Sequence, residues 1–196
     1  IHMMNDDATI MDGIGGKYFN MDMLRRVTEF GKGMGIKMCV SMRMGAWGIE
    51  FPDDQGYFDN RFKLDHPELR CIDRNGDPID ALSYVYPEVR EYILDRFEAM
   101  AKTGCDAVEM IYNRGVPYVL FEQPFVDRFK AEYGEDPRYL PLDDERVTSL
   151  RCAYMTEFVR ELRARLDAVR PGIGLHARVQ YSVYDARHVA LDLETW

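Results

Sequence analysis

The sequence predicts an α/β fold of the (β/α)8 barrel type, in which parallel strands alternate with helices. Three apolar runs of strand length each follow a segment with helical periodicity. Polar residues gather where these runs end, and the glycine-rich motifs of nucleotide-binding folds are absent from the sequence. A complete barrel typically has about 250 residues, whereas this chain has 196. We therefore expect a single domain over residues 1–196 that forms a partial or truncated barrel.

The composition argues against several functional classes. Hydrophobic residues make up 46% of the chain and charged residues 30%, which is typical of globular proteins. The formal net charge of -9 argues against nucleic acid as a partner. No apolar run approaches the roughly 20 residues that span a bilayer, and no signal peptide is visible, so the location stays unknown. The spacing of the four cysteines suits neither a zinc site nor a disulfide framework, and we expect no metal and no cofactor.

The first helix and strand are predicted within residues 20–45. Asn20 can cap a helix over Met21–Gly33, which a glycine-rich stretch ends. An apolar run over residues 36–44 follows as a strand. Because side chains alternate along a strand, Cys39, Ser41 and Arg43 share one of its faces. Residues 1–16 predict no firm element.

A long loop is predicted over residues 46–86, after the first strand. This stretch is rich in turn-forming and aromatic residues, among them Trp47. Loops of this length without helices of their own are uncommon in compact domains and usually bind ligands or cover sites. We therefore expect Trp47 to contact the ligand.

The second half of the chain alternates helices and strands. Helical periodicity and capping residues predict helices over residues 88–102 and 123–133, and a long helix from a cap at Asp143 or Asp144 to residue 169. Strands are predicted over residues 105–113 and 173–180. The tail over residues 191–196 has the composition of the opening turn of another helix.

The run over residues 105–113 carries one carboxylate, Glu109, among apolar residues. Glu109, Ile111 and Asn113 share a face under period-two alternation. Carboxylates are rarely buried without a partner or a task. The carboxyl ends of parallel strands are where barrels build active sites, so Glu109 is a candidate catalytic acid. The alternative is that Glu109 only pairs with an arginine of the core.

An ordered series of motifs resembles glycoside-hydrolase-like barrel proteins. The series covers the chain from about residue 20 to its end. The matching stretches are Gly35 to Met44, His66-Pro67-Glu68, Tyr86-Pro87-Glu88-Val89-Arg90, Asp106-Ala107-Val108-Glu109 running to Arg114, Leu175-His176-Ala177-Arg178-Val179 and Leu191-Asp192-Leu193-Glu194-Thr195-Trp196.

The resemblance implies a glycoside hydrolase that uses carboxylates at the ends of barrel strands. Glu109 and Arg114 match the glutamate and arginine positions of these relatives. Ile111 stands where the relatives commonly have an aspartate. The resemblance further implies that the barrel strands expected before residue 20 and after Trp196 are missing from this chain.

Candidate ligand-binding residues surround Glu109 in the predicted topology. Arginines at or near strand ends can bind a carbohydrate or form an ion-pair cluster, and tyrosines can stack on sugar faces. No second acid has an equally suitable strand-end position. The proposed contacts are Arg43, Asn113, Arg114, His176, Arg178 and Trp47, the candidate stacking residues are Tyr112, Tyr118 and Tyr181, and the weaker candidate acids are Asp65, Glu68, Asp106 and Glu122.

Two alternative functions remain open from the sequence. The first is a non-catalytic carbohydrate-binding or structural barrel fragment, whose exposed sheet edges would favour a homo-oligomer. The second is a metal-dependent barrel hydrolase or isomerase that uses His66, Glu109 and His176. The sequence contains no HxH or HExxH spacing to support that metal site.

Overall fold

The structure is a computed structural model that describes residues 2–3, 21–45, 61–113, 117–141 and 143–196. Six strands and six α-helices occur in these ranges. Short 3-10 turns occupy Pro67–Leu69 and Pro137–Tyr139. In chain order the elements are β1 (His2–Met3), α1 (Met21–Gly33), β2 (Cys39–Arg43), α2 (Arg61–Asp65), β3 (Arg70–Ile72), β4 (Pro78–Leu82), α3 (Pro87–Lys102), β5 (Ala107–Ile111), α4 (Gln123–Tyr133), α5 (Glu145–Val169), β6 (Gly174–Arg178) and α6 (Val183–His188).

The main sheet has four parallel strands in the order β1-β2-β5-β6. Along the sheet, β2, β5 and β6 keep their chain order, although the β3 and β4 segments lie between β2 and β5 in the sequence. α3 precedes β5 and α5 precedes β6, as the βα alternation predicts. The fold is therefore a mixed α/β fold with a small parallel sheet. A closed eight-stranded barrel is not formed by the described residues. β3 and β4 form a separate antiparallel hairpin.

One face of the parallel sheet is apolar and lies in the core. Val40 and Met42 of β2 and Val108 and Met110 of β5 are at most 5% exposed. α3 packs against β5 and against α5, whose apolar side chains are buried in the same core. Since side chains alternate along a strand, the residues of β2 and β5 that alternate with these four belong to the opposite face. That opposite face carries the polar residues.

The predicted helices agree with the structure. The three predicted strands are also present, but each observed strand is shorter than predicted at both ends. Asp144, not Asp143, caps α5 by accepting a hydrogen bond from the Arg146 backbone amide. Outside the predicted loop over residues 46–86, two short elements were not predicted, the strand β1 and the helix α6. The tail over residues 191–196 was predicted as a helical opening, but it forms turns. Trp196 is held there because its indole Nε1 donates to Thr156.

The prediction of a long loop over residues 46–86 was wrong for residues 61–82, which contain α2, a 3-10 turn and the β3–β4 hairpin. The hairpin turn is stabilised locally, because the Asp73 carboxylate accepts from the amides of Asn75 and Asp77. Gly76 has a φ of 96° in this turn, a conformation that favours glycine. These strands have three and five residues, too short for a clear periodic signal. Residues 46–60 lie outside the described part of the chain.

None of the described helices is both long and apolar enough to cross a membrane.

Candidate active site

The polar residues of the parallel sheet are aligned by its register. Ser41 on β2 pairs with Glu109 on β5, and Glu109 pairs with His176 on β6. Paired residues of parallel strands point to the same side of the sheet. The side chains of Ser41, Glu109 and His176 therefore form one row across three strands, which we call the polar row. It lies on the face opposite the apolar core.

Glu109 is the carboxylate at the centre of the polar row. Its side chain is 17% exposed, and Arg178 lies beside it with a side chain that is 55% exposed. The Arg178 Nη2 atom lies 2.9 Å from Glu109 Oε2 and 3.1 Å from Oε1, and its Nε lies 3.3 Å from Oε1. A guanidinium that contacts both oxygens restricts the orientation of the carboxylate.

Glu109 lies in the middle of β5, two residues before its last residue Ile111. The sequence placed it at the carboxyl end of the strand, so this detail of the prediction was wrong. Asn113, which was predicted to share a strand face with Glu109, lies beyond β5 in an exposed turn. The arginine partner Arg178 is the last residue of β6. Its side chain comes back from the strand end towards the row.

Cys39 and His176 lie next to each other at the other side of Glu109. The Cys39 Sγ and His176 Nδ1 atoms are 4.0 Å apart. Burial raises the pKa of the Cys39 thiol, and the negative charge of Glu109 raises it further. The thiol therefore stays protonated at neutral pH and is a poor nucleophile. His176 is exposed, so its imidazole is accessible to a ligand on this face.

Arg43 is placed on the same side of the sheet by the register. It pairs with Ile111, which pairs with Arg178. Arg43 and Arg178 are thus the terminal residues of two strands that flank β5. Arg114 and Trp47, the remaining predicted contacts, lie outside the described residues.

Asp106, one of the other candidate acids, lies at the opposite end of β5. It precedes the strand and accepts a hydrogen bond from the Met38 backbone amide at 2.8 Å. This bond lowers the pKa of Asp106, and Lys37 is its ion-pair partner. Asp106 therefore joins the amino ends of two strands. It takes no part in the polar row.

Glu122, the acid that we expected to be able to approach Glu109, is fully buried. Its carboxylate accepts hydrogen bonds from the backbone amides of Ile72 and Leu120. Burial raises the pKa of Glu122 despite these bonds. The carboxylate connects the segment after β5 to the β3–β4 hairpin, so its role is structural.

The acids of the 61–69 region belong to another part of the surface. Glu68 is paired with His66 at 3.0 Å, and Asp65 is exposed on α2. His66 therefore has a partner away from Glu109 and His176, which contradicts the predicted trio of metal ligands. Within the described ranges, no group of three or more His, Cys, Asp or Glu side chains is arranged to hold a metal ion.

Two of the three candidate stacking tyrosines are in the core. Tyr112 and Tyr118 are at most 1% exposed, and their rings contact each other edge to face. Burial raises the pKa of both phenols. Neither ring is accessible to a sugar, so this expectation was wrong for both. Tyr181 is 99% exposed and follows β6 by three residues, and it remains a candidate.

The sequence did not predict the polar row as a unit. Ser41 and Cys39 were placed on one face of their strand with Arg43, but their neighbours on β5 and β6 depend on register. The available signal was the alternation of polar residues in three separate apolar runs. Alternation identifies the face of each strand, but it does not align one strand with another.

No protein-family model and no curated protein matches the sequence. Solved structures do match the fold. One is α-L-fucosidase isoenzyme 2 from Paenibacillus thiaminolyticus, with a TM-score of 0.59 and 14% identity over 80% of this chain and 22% of that one. Two are β-galactosidases. The enzyme of the psychrophilic Marinomonas ef1 has a TM-score of 0.65 and 10% identity, over 99% of this chain and 34% of that one. The cold-adapted enzyme of Rahnella sp. R3 has a TM-score of 0.59 and 14% identity, over 97% of this chain and 33% of that one.

The chain therefore shares its fold with a part of each of these three enzymes. The chain spans between about a fifth and a third of the length of each of the three enzymes. At 10 to 14% identity, the likeness concerns the fold and not the reaction.

Proposed function

We propose that the polar row is part of the active site of a glycoside hydrolase, with Glu109 as its catalytic carboxylate. The observation that carries the proposal is the position of Glu109. On the accessible face of β2, β5 and β6 it is the one carboxylate, and it lies between a hydroxyl and an imidazole. Glycosidases with this fold among the solved structures support a carbohydrate substrate.

Each residue of the site has a proposed role. Glycoside hydrolysis uses a pair of carboxyl groups, one of which protonates the leaving oxygen while the other acts as nucleophile or base. Glu109 supplies one of the pair, and Arg178 orients it. The imidazole of His176 is exposed and can hydrogen-bond a sugar hydroxyl, whereas Ser41, at 7% exposure, lies on the buried side of Glu109. Asn113, Arg114 and Trp47 complete the proposed set of substrate contacts.

A non-catalytic carbohydrate-binding role is the second candidate, and two observations favour it. The polar face of β2, β5 and β6 supplies one carboxylate where hydrolysis needs two. That carboxylate is already paired with Arg178, as expected for a structural ion pair. In this alternative, the row binds a sugar without cleaving it.

The substitution Glu109→Gln distinguishes the two functions. It keeps the size of the side chain and removes its acid–base capacity. We expect the turnover of aryl glycosides and polysaccharides to fall by about 10²–10⁴-fold, with circular dichroism unchanged. Glu68→Gln is the matched control, because Glu68 is an exposed acid paired with a histidine elsewhere. Binding of carbohydrate by the wild type, with equal and negligible turnover in both proteins, would refute the hydrolase and support the binding role.

A further inference from the structure

Arg43 lies on the same face of the sheet as the polar row. The proposed reaction gives its positive charge no role. Arg43 is the last residue of β2 and is half-buried. Within the described part of the chain, the guanidinium of Arg43 forms neither a hydrogen bond nor an ion pair, and only the backbone of this residue is paired with β5. Arg178 at the corresponding position of β6 is, by contrast, bound to Glu109. The guanidinium of Arg43 is therefore available to bind a ligand, whereas the guanidinium of Arg178 already binds Glu109.

The charge of this face is opposite in sign to that of the whole chain. Among the described residues of β2, β5 and β6 on this face there are one carboxylate, Glu109, and two guanidiniums, Arg43 and Arg178, so these strands carry one positive charge in excess. The formal net charge of the whole chain is -9. A local positive charge on an acidic protein attracts anions to that place and repels them elsewhere. A neutral sugar would gain no charge–charge attraction from this arrangement.

The positions of the two arginines set the size of the ligand. Arg43 and Arg178 are separated by one strand, so their Cα atoms lie about 10 Å apart at the usual strand spacing. One sugar ring between the two long side chains can contact Glu109 and Arg43 together. A guanidinium binds planar or tetrahedral oxyanions through two parallel hydrogen bonds, which a neutral hydroxyl cannot match.

We infer that the substrate is an acidic sugar, whose carboxylate or sulfate group is bound by Arg43. The inference rests on the proposed function, since it names the substrate class of the same site. Arg43 confers specificity, and Glu109 performs the chemistry. The charge of the substrate is then neutralised on the side of the row away from the Glu109–Arg178 pair.

The test compares acidic and neutral sugars of the same ring stereochemistry. Aryl glucuronides are paired with glucosides, galacturonides with galactosides, and 6-sulfated glycosides with their parent compounds, in both anomers. We expect the wild type to prefer the acidic member of at least one pair by ten-fold or more in kcat/KM. Arg43→Gln should abolish that preference, and Arg43→Lys should retain part of it. The uronate and sulfate pairs distinguish the two kinds of anion.

The control is Arg26→Gln, which replaces an exposed arginine of α1, outside the parallel sheet, and should leave the preference unchanged. A preference for neutral sugars, or a preference that survives Arg43→Gln, would overturn the role of Arg43 and leave the hydrolase intact. Binding is measured in parallel by titration calorimetry with free glucuronate and glucose. Arg43-dependent binding of glucuronate without any turnover would refute the hydrolase and keep the anionic site.

Discussion

Glu109 and Glu122 are both glutamates in apolar surroundings, yet their environments differ. Arg178 pairs with Glu109, whose side chain stays partly exposed. No cation forms an ion pair with Glu122 in the described part of the chain; backbone amides hold it in the core. Only the environment of Glu109 leaves a carboxylate accessible to a ligand. The identity of the residue is the same in both cases, and the site is distinguished by its surroundings.

Glu122 should make the stability of the protein depend on pH. Burial raises its pKa in the folded protein, so the folded state binds this proton more tightly than the unfolded state. The stabilising effect of the protonated carboxyl is complete below the unfolded pKa, near 4.3. It is lost as the pH rises through the folded pKa.

The substitution Glu122→Gln should remove this dependence. Glutamine keeps a carbonyl oxygen for the backbone amides and does not ionise. We expect the free energy of unfolding of the wild type, relative to the variant, to decrease as the pH rises from about 4 through the folded pKa of Glu122. Urea unfolding at a series of pH values measures it. Glu88→Gln, which removes one exposed negative charge from α3, is the comparison. A difference between wild type and Glu122→Gln that does not change with pH would contradict the prediction.

At the scale of elements, the helices were predicted well because their ends are specified locally. α4 has the predicted bounds, since Gly134 ends it in a left-handed conformation with a φ of 74°. α5 begins after an aspartate and ends before Pro171, both of which are visible in the sequence. α6 was missed, because six residues are too few for a helical period to be distinguished from a turn.

The cap of α5 gives a prediction at this scale. Asp144 accepts from the amide of Arg146 at 3.0 Å and pairs with its guanidinium at 2.8 Å. Asp144→Ala should lower the free energy of unfolding by about 0.5–2 kcal/mol, the usual effect of losing such a cap. Asp143→Ala is the control, because Asp143 is exposed and does not cap the helix. Thermal or urea unfolding measures both. Equal stability of the two variants would show that the cap contributes nothing.

At the scale of the whole molecule, the sheet depends on a close approach between β5 and β6. A Cβ atom at Gly174 would lie 2.8 Å from the Cβ of Ala107 and 3.4 Å from the carbonyl oxygen of Asp106. Both of these atoms are fixed by the backbone of β5 and the residue before it. A side chain at position 174 would therefore force β6 to shift relative to β5.

Gly174→Ala should destabilise the protein by about 1–3 kcal/mol, as overpacking of an interior contact usually does. The movement of β6 should also shift Arg178 relative to Glu109, so that turnover falls together with stability. Gly33→Ala is the control, since a Cβ there meets nothing within 4 Å. That helical position should tolerate alanine without loss of stability. An unchanged melting temperature for Gly174→Ala would contradict the prediction.

The sequence predicts the candidate site only in part, for a physical reason. Glu109 was identified because a carboxylate in an apolar run is conspicuous in one segment alone. Its bond to Arg178, and the alignment with Ser41 and His176, depend on which strand positions pair. Those pairings are determined by packing between distant segments. Periodicity within a single segment cannot report them.

The polar row also determines when the site can exist during folding. Glu109 and Arg178 are 69 positions apart in the chain, and Cys39 and His176 are 137 positions apart. Contacts of such long range require closure of large loops, which makes parallel sheets slow to form. The helices can form from nearby residues, whereas the row assembles only when all three strands have docked. An assay of substrate binding to this face therefore also reports whether all three strands have docked.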